Sequence, residues 1–182
     1  MEDYALVLDY LPQGLPTDKS FKKEPLVLAV GDSEFKLFEL VPKQNAIITI
    51  GDRVYIGKDP ELRDKIIHVK RRIGYEELTA AAQAELPFIL LDIVNGEEER
   101  FVKFYNEAQA ITTRFHMLEL IPGLGKKTMW AIVEERKKGP FLSYADIAKR
   151  VPTVKQPQKL IAKRIEDELA DPNQKYRIFV SR

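Results

Sequence analysis

The chain has 182 residues, 45% of them apolar and 31% charged, with a net charge of +1; that is material for one large or two small domains with ordinary cores. The absence of cysteine excludes a disulfide framework and any thiolate metal site, leaving His68 and His116 as the only imidazoles, and no apolar run approaches the roughly 18 residues needed to cross a bilayer. Glu2 and Asp3 stand where a signal peptide would be basic, so a cytoplasmic protein is expected.

Residues 1–73 read as a small all-β unit, because short apolar stretches alternate with turn residues at barrel-strand spacing. The expected strands are Tyr4–Tyr10, Leu26–Val30, Glu34–Val41, Ala46–Ile50 taken with Arg53–Ile56, and Lys65–Ile73. With a long first loop over Leu11–Pro25, they fit a small closed barrel better than an open sheet, which would leave edges. The run Gly51-Asp52-Arg53-Val54-Tyr55-Ile56-Gly57 resembles the Gly-Asp turn and strand of OB-fold and S1-like barrels. The last strand alternates Ile67, Val69 and Arg71 on one face with Ile66, His68, Lys70 and Arg72 on the other. Lys70, Arg71 and Arg72 would meet single-stranded nucleic acid with Tyr55, Tyr4 or Phe35 stacking, or simply blunt a solvated edge.

Residues 74–110 read as an acidic helical connector. Glu76 to Ala84 is rich in helix formers, Pro87 interrupts, Phe88–Val94 resumes, and Glu97–Glu99 opens a helix that buries Phe101, Phe104, Tyr105 and Ala108 on one face.

Residues 111–182 read as paired helical hairpins. Thr112 or Thr113 caps a first helix, which ends at Ile121-Pro122; the chain turns through Gly123-Leu124-Gly125 and restarts at Lys126-Lys127-Thr128, running to about Lys138 before Gly139-Pro140. Ser143 caps the next helix, and Pro152 to Pro157 leads to a helix over Gln158–Leu169. A small core is expected from Leu118, Ile121, Leu124, Ile132, Val133, Ile147, Val151, Val154, Ile161 and Ile165, with Tyr176–Val180 as a last strand; Trp130 shares a helix face with Lys126 and Lys137 and is read as packed in the hairpin interface, with a stacking platform as the alternative. Amides left open at Gly125, Lys126 and Lys127, with two ammonium groups and the Thr128 hydroxyl, form a pocket for a phosphate oxygen. Lys155 and Lys159 are weaker candidates on the second hairpin.

The residues Ile121, Gly123, Leu124, Gly125, Lys127, Thr128, Ala131 and Ile132 match the helix-hairpin-helix motif of DNA- and RNA-binding proteins. The sequence departs from it at Met129, where a small residue is usual and a larger side chain would open the angle between the helices. Barrel, connector and hairpins together resemble an uncharacterised archaeal family described as predicted nucleic-acid-binding proteins. The resemblance implies an α+β protein in three parts: an OB/S1-like barrel over 1–73, the connector, and a tandem helix-hairpin-helix domain over 111–182.

Charge follows the same division. Residues 1–72 hold 12 basic and 12 acidic residues, 73–110 hold 2 and 8, and 111–182 hold 15 and 8. Positive charge gathers in the segment expected to meet phosphate. Catalysis finds little support: Gly139-Pro140 is followed by Phe141 where hairpin glycosylases carry Asp, and Glu97 to Glu99 cannot converge on a metal from consecutive positions. No cofactor or metal is called for. The reading is a non-catalytic, non-sequence-specific RNA- or DNA-binding protein; a protein-interaction adaptor and a repair or nuclease-type enzyme are the alternatives.

Overall fold

The computed structural model describes residues 1–17, 19 and 23–182, so part of the expected first loop lies outside the described residues. The protein is a mixed α+β chain of two compact units, Met1–Ile89 with Glu168–Arg182, and Leu90–Asp167. Segments 74–110 and 111–182 are each divided between these units.

The first unit is built on an antiparallel sheet of β1 (Tyr4–Leu11), β2 (Leu26–Gly31), β3 (Leu37–Pro42), β4 (Arg53–Tyr55) and β5 (Ile66–Ile73). The spatial order is β4-β1-β2-β3-β5, with no pairing among the described residues to join the ends, so the sheet is curled but not closed. Every residue of β2 is buried, which explains its unbroken apolar run: Val27 and Ala29 join Ala5, Val7, Leu40, Val54 and Ile66 in one core, while Leu28 and Val30 are buried as well. Ala46–Ile50 forms no strand; Asp52 Oδ2 accepts from the Thr49 amide at 2.9 Å and shapes a turn that leaves Ile47 exposed.

Helix α1 (Ala80–Gly96) starts at Thr79, whose hydroxyl accepts from the Ala82 amide (3.1 Å) and donates to Asp9 of β1 (2.6 Å). It runs straight through Pro87, contrary to the interruption expected there. Loss of one amide is offset by burial of Leu86, Ile89, Leu90, Ile93 and Val94 on both sides of the proline. The end of the chain is no strand either. Glu168, wholly buried, accepts from the amides of Ile178, Phe179 and Val180 at 3.0–3.1 Å, which draws Tyr176–Val180 into a loop around one carboxylate.

The second unit holds the remainder of α1, α2 (Glu98–Glu107), a short hairpin of β6 (Ala110–Thr112) and β7 (Phe115–His116), a 3-10 turn at Met117–Leu120, α3 (Lys126–Arg136), α4 (Tyr144–Arg150) and most of α5 (Pro157–Ala170). Nine of the ten expected core residues are buried and Val133 is half-buried. The Tyr105 hydroxyl donates to Pro157 O at 2.8 Å and the Tyr144 hydroxyl to Val94 O at 2.7 Å; burial pushes both phenols above their usual range.

Glu168→Ala is expected to leave three amides, one buried and two half-buried, without their acceptor and to lower the unfolding free energy by about 3 kcal/mol. Urea denaturation checks this, and a loss under about 1 kcal/mol would mean that water replaces the carboxylate.

Candidate nucleic-acid interface

The sequence places a turn between two apolar anchors, Ile121 and Leu124. Leu124 N–H donates to Ile121 O at 3.1 Å, and both side chains are buried. Gly123 takes φ +89°, the left-handed region that glycine enters without strain, and a side chain there would lie 3.5 Å from Leu160 of α5. Arg164 of α5 also donates to Leu120 O at 3.2 Å, so α5 backs the turn. The second turn repeats the first: Val154 N–H donates to Val151 O at 2.9 Å with both valines buried.

With Leu124 under the surface, the next residues stand above it. Gly123, Gly125, Lys126 and Lys127 are exposed and Thr128 is half-exposed. The first intrahelical bond of α3 runs from Met129 N–H to Gly125 O at 2.9 Å, and among the described residues the amides of Gly125 to Thr128 have no acceptor. Gly125 caps the helix with extended φ −77°, and a side chain added there meets no atom within 4 Å. Of the two glycines of the turn, Gly123 alone is in the left-handed region.

α3 has no capping side chain and no acidic residue in its first turn. Lys126 Nζ donates to Arg114 O at 3.3 Å, and among the described residues Lys126, Lys127, Lys155 and Lys159 form no ion pair. The other end of α3 differs. Lys137 and Lys138 pair with Glu134 and Glu135, and Arg150 reaches Glu135 Oε1 (3.2 Å), Glu135 O (2.7 Å) and Gly139 O (2.7 Å).

Three local expectations are corrected here. The segment before the turn is a β-hairpin and four residues of 3-10 turn, because the β-branched Ile111, Thr112 and Thr113 favour strand over helix. His116, not a threonine, caps the turn: its Nδ1 accepts from the Leu118 amide at 3.0 Å while its own amide donates to Glu119 at 2.7 Å. Trp130 is 56% exposed, and Met129 occupies the buried position beside it.

The β5 cations belong to the first unit and do not share the alternating face expected of them. Irregular register between β3 and β5 skips Ile67 and Lys70, so His68, Lys70 and Arg71 line one recess while Val69 and Arg72 line another. Arg71 pairs with Glu39 at 3.0 Å and Glu77 at 2.8 Å, and Arg72 donates to Ser181 O at 2.6 Å. Lys70 is exposed. Phe35 is fully buried, and the Tyr4 ring is covered by Arg53 at 3.7 Å.

The chain belongs to the family whose model, described as "Protein of unknown function (DUF655)", matches residues 1–181. It is 50% identical over 180 residues to uncharacterized protein MJ0038 of Methanocaldococcus jannaschii, a match covering 98% of this chain and 80% of that protein. It is also similar to the crystal structure of Af1531 from Archaeoglobus fulgidus, with TM-score 0.92 and 48% identity over 99% of this chain and all of that one. Both relatives are archaeal.

Burial, reinforced by the Arg136 guanidinium and opposed by Glu119, holds the His116 imidazole below its ordinary value of 6.5. The unfolded chain takes up this proton first, so the His116 contribution is complete above pH 6.5 and is lost as pH falls through the lower folded value. His116→Asn keeps an acceptor for the Leu118 amide without a titrating ring. Its urea midpoint is expected to fall less between neutral and mildly acidic pH; identical pH profiles in the two proteins would contradict the assignment.

Proposed function

We propose that the protein is a non-catalytic nucleic-acid-binding protein that grips the sugar-phosphate backbone of RNA or DNA, without reading sequence, through Gly123–Thr128. The observation that carries this reading is the uncapped N-terminus of α3: among the described residues its first amides have no internal acceptor, and Lys126 and Lys127, the first of which donates to Arg114 O, form no ion pair. A cation in the first turn of a helix opposes the macrodipole, at about 0.3–1 kcal/mol each, and the first turn of α3 carries no carboxylate in compensation. A phosphate oxygen reverses the sign, accepting from the amides while the ammonium groups neutralise it.

Gly125 supports the same reading. Its extended backbone and the open space around it mean that the fold accepts other residues. What a missing side chain supplies there is close approach to the main chain from outside. In this reading the 3-10 turn and α3 form one helix-hairpin-helix, while α4, the Val151–Val154 turn and α5 form a second. Lys155 and Lys159 then supply further backbone contacts. The curled sheet is read as OB-like, and of its three candidate cations Lys70 is the one not held by the chain's own acceptors.

Binding to a mixed-sequence oligonucleotide is expected to weaken with salt, with a log–log slope of about −0.9 per phosphate for a duplex or about −0.7 for a single strand, and about two to four phosphates engaged. Lys127→Gln should flatten that slope by about 1, and a slope near zero would favour the adaptor reading. Gly125→Val is expected to reduce affinity about tenfold or more while shifting stability by about 1 kcal/mol or less. Gly123→Ala, forced into the left-handed region, should cost about 1–2 kcal/mol of stability. If Gly125→Val binds like the parent chain, the site lies elsewhere.

A further inference from the structure

We propose that Trp130 is a stacking platform and that the nucleic acid this protein takes carries unpaired bases: one base lies on the indole while a neighbouring phosphate sits on the free amides of α3. This rests on the phosphate-binding reading above and adds a substrate class to it.

Trp130 keeps 56% of its surface exposed, although tryptophan in a fold of this kind ordinarily buries most of its ring. It stands one helical turn after Lys126, so indole and ammonium share a face of α3. Across a recess of about 100 Å³ lie Thr112 and Arg114, at the β6–β7 turn. The contact from Lys126 Nζ to Arg114 O fixes that turn to the head of α3. A recess of this size is too small to enclose a ligand; in this proposal it serves as a shelf, lined by the indole together with the cationic Arg114 and Lys126. Glu119 is the carboxylate that lines it, and its Oε2 is occupied by the His116 amide at 2.7 Å.

The shelf and the anion site adjoin on one helix end, so a single nucleotide spans both. Inside a duplex the bases are stacked and paired and offer the indole no ring face; only open ends expose one. A single strand offers one at every step, with stacking that tolerates any sequence.

Trp130 is the sole tryptophan of the chain, so its emission reports on this place alone. Titrating the full chain with a single-stranded oligothymidylate is expected to quench that emission, and a covalently closed circular duplex of equal nucleotide content to leave it unchanged. By anisotropy of a labelled oligonucleotide, Trp130→Ala should lose roughly tenfold in single-strand affinity and Trp130→Phe should keep most of it. Duplex affinity should not change in either variant, and circular dichroism verifies their folding. Salt-dependent binding of the single strand without quenching, or unaltered single-strand affinity in Trp130→Ala, overturns the stacking role and leaves the phosphate reading standing. No binding of either polymer overturns both.

Discussion

Leu124 has to go under the surface for the amides after it to stay above it. The bond from Leu124 N–H to Ile121 O closes a tight turn between two buried side chains, and once they are fixed the chain has one direction in which to leave. The Val151–Val154 turn shows that the geometry itself needs no glycine: it makes the same bond, and Thr153 is not in the left-handed region. Gly123 answers a narrower need, a left-handed residue where the turn runs against Leu160 of α5.

Elsewhere the chain answers its free main-chain groups with its own side chains. Thr79 and Ser143 cap α1 and α4, and α2 carries Glu98 and Glu99 in its first turn. Arg136 takes the carbonyls of Tyr105 (3.0 Å) and Ala108 (2.8 Å) after α2, as Arg150 does for α3. Two buried carboxylates do the reverse for amides: Glu168 holds 178–180, and Glu2 accepts from Ser33, Glu34 and Lys36. Against that pattern the head of α3 is an exception, with neither cap nor acid. α5 comes nearest to it, having no acid in its first turn but losing one donor to Pro157. These are the helices that follow the two matching turns, where the unpaired lysines are also found.

Much of this was legible because it is local. Alternating apolar residues and Gly-Asp punctuation located β1, β2 and β5 to within a residue or so, and Ile121-Pro-Gly-Leu-Gly-Lys located both the turn and the start of α3. What was not legible depended on partners distant in the chain. Nothing near Tyr176–Val180 announces that Glu168 will gather its amides. Pro87 reads as a break until the burial on either side is known. Sheet closure depends on whether the three-residue β4 meets β5, which no single strand encodes. The β6–β7 hairpin was signalled by Ile111-Thr112-Thr113, but the helical motif beside it drew those residues into the wrong element. For Trp130 the sequence favours core packing over the stacking alternative, whereas Met129 fills the buried place.

A net charge of +1 gives a polyanion little long-range attraction, so in the proposed reading affinity has to come from how charge is placed. Near the C-terminal end of α3 cations and carboxylates neutralise one another in pairs, through Lys137, Lys138 and Arg150 with Glu134, Glu135 and Asp146. At the N-terminal end Lys126, Lys127 and Arg114 form no ion pair among the described residues, the amides have no acceptor, and Glu119 is the one carboxylate lining the adjoining recess. A strand meeting α3 therefore finds attraction at one end and carboxylates at the other, and this asymmetry orients it without any contact to a base edge. Stability gives up a little at the head of the helix, because lysines there oppose the dipole. In the proposed reading an incoming anion relieves that small local cost.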